Sequence, residues 1–155
     1  MKRLSILFAL FSIACHSAPN GNGLPAERPK DLKLSYHLDG GMVYHSEDLT
    51  ITADSCVSDI NNEGKKTHTV FILSPAELDG LYSVLQKNKF DKIGYRTESE
   101  VYDRGGITMS LSWDKDQRKC QVNDSQMTFV LKDWEKEWGN ICEYMEVLAK
   151  GKIKG

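Results

Sequence analysis

The sequence predicts an α+β domain: an antiparallel sheet of about five strands with two helices packed on one face, in the order β-β-β-α-β-β-α. Three observations carry this. Several short segments alternate apolar and polar residues with the period of two that a half-buried strand requires. Turn-forming clusters punctuate them at hairpin distances. Two longer segments instead repeat their apolar residues every three or four positions, as a helix packed on one side does.

Each element can be taken in turn. LKLSYHL (32–38) places Leu32, Leu34, Tyr36 and Leu38 on one face. Asp39-Gly40-Gly41 then marks a tight turn, since glycine accepts the positive φ of hairpin loops. A second strand is clearest at DLTITAD (48–54), where Leu49, Ile51 and Ala53 share a side. NNEGKK (61–66) reads as a turn leading into the β-branched and aromatic run THTVFIL (67–73). Next, SPAE sets Ser74 as N-cap, Pro75 at the first helical position and Glu77 to complete a capping box. The helix behind it aligns Leu78, Leu81, Tyr82 and Leu85. After a charged connector, ITMSLSW (107–113) alternates cleanly. A two-residue loop at Lys115-Asp116 would set Leu111 opposite Cys120 and Met109 opposite Val122, so that the apolar faces match. A final helix is expected from about Trp134 to Lys150, capped by Asp133 and stopped at Gly151, with Trp134, Trp138, Ile141, Met145 and Leu148 as its stripe. Gly139 inside it costs about 1 kcal/mol against alanine.

The segment before the first strand carries an address. Lys2 and Arg3 precede the apolar run LSILFALFSI (4–13), which has signal-peptide length and is too short for a permanent bilayer span. Residues 1–14 are therefore expected to be removed. FSIAC resembles a bacterial lipobox, which makes Cys15 the expected lipid attachment and the new N-terminus. Ser12-x-Ala14 also suits an ordinary signal peptidase, which would leave a soluble periplasmic protein. The following stretch to Asp31 is rich in proline, glycine and asparagine and reads as a flexible tether. Residues 32–155 then form a single domain held to the cell envelope, at the outer membrane or its periplasmic face. GNGLPA (21–26) matches the letters of a dinucleotide fingerprint but lacks the preceding strand, and Pro25 interrupts it.

Charge narrows the partners. Losing Lys2 and Arg3 takes the basic residues from 20 to 18 against 22 acids, a mature charge of −4. Nucleic acid is not an expected partner, because phosphate binding needs clustered lysine and arginine. The basic tail KGKIKG reads as a solvated helix end.

Catalytic signatures are missing: the chain has no CxxC, HExxH, GxSxG or P-loop. His37 and His45 fall on adjacent strands and would meet only if a bulge set the register; two histidines rarely hold zinc without a third ligand. His68 stands alone, and Glu98 and Glu100 belong to a solvated connector. No metal or cofactor is expected. The loop VYDRGG (101–106) is the candidate partner contact: Asp103 and Arg104 offer a charged pair, and Gly105 and Gly106 allow close approach. The alternative is local, with Arg104 paired to a nearby acid and the glycines opening a bulged strand. Once Cys15 is lipidated, Cys56, Cys120 and Cys142 remain. A Cys120–Cys142 bridge with Cys56 free is one arrangement, and three buried thiols the other.

The Gly40-Gly41 turn, the SPAELDGLYSVLQKNKFDKI helix and the VYDRGG segment together resemble a group of small uncharacterised bacterial lipoproteins, over about residues 34–148. The strand–Gly-Gly–strand order is more distantly similar to emfourin-type metallopeptidase inhibitors. Neither resemblance implies catalytic residues. The expected function is an envelope-anchored binding module for an unknown protein or other envelope partner. A peptidase inhibitor and an enzyme of unrecognised type are the alternatives.

Overall fold

The computed structural model describes residues 23–40, 42, 44–99, 101 and 103–153. The leader, Cys15, Gly41, Glu100 and Tyr102 lie outside the described residues. The fold is α+β, as the patterning predicts. Strands β1 (Lys33–Gly40), β2 (His45–Ile51), β3 (Cys56–Asn62) and β4 (Lys65–Phe71) form an antiparallel meander. Helix α1 (Pro75–Lys87) follows, then a short strand β5 (Tyr95–Thr97). The hairpin β6 (Gly106–Trp113) and β7 (Arg118–Asp124), a short strand β8 (Thr128–Val130) and helix α2 (Glu135–Ile153) complete the domain. The main sheet has six strands in the order β4-β3-β2-β1-β6-β7, and β5 pairs with β8 in a second small sheet.

The sixth strand is β3, which reads as polar chain because Ser58, Asp59, Asn61 and Asn62 interrupt it. Asparagine and aspartate are poor strand formers in isolation, but β3 is held on both sides by β2 and β4. Its turn into β4 is tighter than the expected six-residue loop. Glu63 and Gly64 both take positive φ, 51° and 88°, the conformation of a two-residue hairpin whose twist matches its strands.

Period two sorts the sheet into faces. Leu34, Tyr36, Leu49, Ile51, Cys56, Met109, Leu111 and Val122 point inward and are buried. Leu111 lies opposite Cys120 and Met109 opposite Val122, the expected register. On the outer face, His37, Asp48, Asp59 and His68 form one row across four strands. His37 and His45 are therefore on opposite faces, since their positions differ by eight but lie on antiparallel neighbours with Gly40 opposite His45.

Helix α1 begins as the capping box requires. The Ser74 hydroxyl accepts from the Glu77 amide at 3.3 Å, and the Glu77 carboxylate accepts from the Ser74 amide at 2.8 Å. Leu78, Leu81, Tyr82 and Leu85 are its buried residues. Helix α2 departs from expectation at both ends. Asp133 lies in a 3₁₀ turn (Lys132–Trp134) that runs straight into the helix, so it does not cap. Gly151 does not stop the helix either; the chain continues helical to Ile153, and Lys152 reaches Glu77 at 2.7 Å. Lys152 thus ties the end of α2 to the start of α1.

The segment expected to be a tether is docked from Gly23 onward. The Pro25 carbonyl accepts from Tyr82 Oη at 2.7 Å and from Gln86 Nε2 at 2.6 Å. Arg28 pairs with Asp79 at 2.7 Å, and Leu24 packs against the core. Two prolines restrict this stretch before it docks, which lowers the entropy lost on ordering it.

Candidate functional site

In the VYDRGG loop, Val101 and Asp103 are exposed, while Arg104 is committed to its own chain. Arg104 is turned inward: Nη2 donates to Asp124 Oδ1 at 2.5 Å, and Nη1 donates to the carbonyls of Ser125 and Thr128. Its guanidinium also lies 4.3 Å from the Phe129 ring centroid. These partners take three of the five guanidinium donors. Gly106 is close to its own chain rather than to a visitor. A Cβ there would fall 2.6 Å from Ser125 Cα. Gly105 is half-buried, and Asp103 is exposed in a left-handed turn conformation, φ 62°. Arg104 thus follows the local alternative, pairing with a nearby acid as an internal brace.

Cys56, Cys120 and Cys142 are free thiols in the structure, with no Cys120–Cys142 bridge. Cys120 belongs to the row of Leu34 and Leu111, beneath the region of Tyr82 and Asp91, whereas Cys142 faces Tyr36 from α2. Burial pushes both thiols up to about 12, with the Asp91 charge adding at Cys120 and the Asp124 charge at Cys142. Thiols held protonated in this way are poor nucleophiles. His68 pairs with Asp59 at 2.6 Å on the outer face, and Glu98 pairs with its neighbour Arg96.

A site forms elsewhere, where the sheet outruns the packed core. The inner-face row beyond Tyr36 consists of Leu38, Glu47, Ile60 and Ile107 on four adjacent strands. The later turns of α2 arch over this row. Between them lies a groove of about 570 Å³, within the size range of small-molecule sites. Gly139, Cys142, Glu146, Ala149, Lys150 and Ile153 form its helical wall, at the spacings that put them on one face of α2. Met145 reaches in from the same helix, and His45 closes the sheet end.

Its polar groups are few. Glu47 stands at the position where the Leu49 and Ile51 alternation calls for an apolar residue. Its Oε1 is buried with no hydrogen-bond partner among the described residues. Burial raises the Glu47 pKa, and the adjacent His45 offsets this only in part. Burial likewise raises the Tyr36 hydroxyl, with Cys142, Glu47 and Glu146 acting in the same direction. At the rim, Glu146 is engaged by Lys150, which lowers its pKa. Among the described residues, no three His, Cys, Asp or Glu side chains are grouped so as to hold a metal ion.

Sequence reasoning missed this groove. Its first legible signal was Glu47 in phase with Leu49 and Ile51. Gly139 was a second: a glycine in a helix whose Cβ position meets nothing within 4 Å, so packing does not demand it. No protein-family model matches the chain, and no curated protein is significantly similar to it.

Proposed function

We propose that this chain is an exported, lipid-anchored binding module that holds an apolar ligand in the groove between α2 and the open end of the sheet. The observation that carries the reading is the groove itself. An apolar cavity of about 570 Å³ with a few convergent polar groups is what a small-molecule site requires. Filling it with the module's own side chains would have added stability, since burying each further methylene is worth about 0.8 kcal/mol. The thiol in its wall is held protonated, and among the described residues no nucleophile–base pair converges there, which favours binding over turnover. The envelope address rests on Lys2, Arg3, the apolar run 4–13 and Cys15.

Two measurements test the reading. A neutral fluorescent naphthylamine, N-phenyl-1-naphthylamine, should bind saturably at one site per chain. Gly139→Phe, which projects a ring from the helical wall into open space, should abolish that binding while the fold melts cooperatively. Saturable binding that survives Gly139→Phe would place the ligand elsewhere. Separately, Cys15→Ser should move the protein from the membrane to the soluble fraction; a wild-type protein already soluble and without lipid would remove the anchor from the account.

A further inference from the structure

We infer that the groove selects a cationic amphiphile, a small molecule with an apolar body and one protonated amine that seats on Glu47. The inference rests on the groove being a binding site and adds the chemical class of what it takes. Three features support it. First, Glu47 Oε1 has no hydrogen-bond partner among the described residues and is closed to water, so the carboxylate keeps an unmet acceptor that a small turn about its terminal bond brings into the groove. A ligand ammonium would supply both the missing donor and the missing counter-charge. Second, the described groups facing the groove are acid-rich: Glu47, Glu143 and Glu146 against one lysine, Lys150, which already engages Glu146. His45 is the other titratable base at the sheet end, and Tyr36 and Cys142 stay neutral. A ligand carboxylate would meet these acids with no unpaired lysine or arginine among the described groove-lining residues to receive it. Third, the rest of the floor is Leu38, Ile60, Ile107 and Met145, which gives the body of such a molecule only apolar neighbours.

The test is displacement of the naphthylamine dye from the purified chain by n-octylamine, n-octanol and n-octanoate, three probes that share one apolar body. Octylamine should displace at about a tenfold lower concentration than octanol, the ratio worth about 1.4 kcal/mol, with octanoate weakest. Glu47→Gln should erase the ratio between amine and alcohol. The wild-type ratio decides the matter even where that variant fails to fold. Equal displacement by amine and alcohol overturns the inference while the groove reading stands. A preference that survives in a folded Glu47→Gln variant overturns it too, because the charge would then be read by the rim. Failure of every probe, with the dye unbound as well, overturns the groove reading itself.

Discussion

Arg104 and Asp124 meet at 2.5 Å across twenty residues of chain, and the second oxygen of the same carboxylate accepts from Trp138 Nε1 at 3.2 Å. One half-buried acid thus joins the loop before β6, the end of β7 and the first turns of α2. The loop that looks most like a contact surface in the sequence is a structural joint.

Arg104→Ala is accordingly expected to destabilise. The side chains are 28% and 23% exposed, so water screens the pair only in part. Hydrogen bonds involving charged groups contribute about 1.5–3 kcal/mol, and the variant also strands Asp124. A loss of about 2 kcal/mol in urea unfolding is the expected outcome, with strong coupling to Asp124→Asn in a double-mutant cycle. A change below about 0.5 kcal/mol, the range of an ordinary surface substitution, would mean that the loop is not braced.

The docked N-terminal segment makes a second prediction. Chains beginning at Gly23 and at Leu32 should differ in stability, because the shorter one loses the Pro25 carbonyl bonds from Tyr82 and Gln86. It also loses the Asp31 carboxylate that accepts from the Lys115 amide at 2.7 Å. At about 1 kcal/mol per hydrogen bond, the shorter chain should unfold about 3 kcal/mol more easily. Identical melting curves would restore the tether.

His37 gives the pH dependence. Partial burial, the largest single influence, acts to lower its pKa, but hydrogen bonds with Asp48 and Asp39 and their charges outweigh it, and the net direction is upward from 6.5. A histidine raised in the folded state adds stability that is fully present below its unfolded value and is lost as pH rises through the folded one. The melting-temperature advantage of wild type over His37→Gln should therefore be largest on the acid side of 6.5 and shrink on the alkaline side. The ring is 42% exposed, so solvent keeps the effect small. An advantage that grows with pH would show the opposite shift.

How far each element was legible follows from how local its cause is. The start of α1 is written within four residues, Ser74 to Glu77, and its buried face within eight, so both could be read directly. The β6–β7 register was equally local, because only one pairing matches Leu111 with Cys120 and Met109 with Val122. Strand β3 was not legible, since its pairing comes from β2 and β4 rather than from its own asparagines. Asp133 and Gly151 were misread because good capping letters are overridden when neighbouring turns already continue the helix. The groove joins Glu47 to Glu146, residues that meet only after the whole sheet is assembled.

The most direct test of the central claim is methyl NMR of the chain titrated with N-phenyl-1-naphthylamine. The Ile60, Ile107, Met145 and Ile153 methyls line the groove, whereas Val70 and Ile72 are exposed at the far edge of the sheet. The four groove methyls should shift together along one saturation curve while Val70 and Ile72 stay still. Shifts centred on Val70 and Ile72, or no saturable shift at the groove, would contradict it.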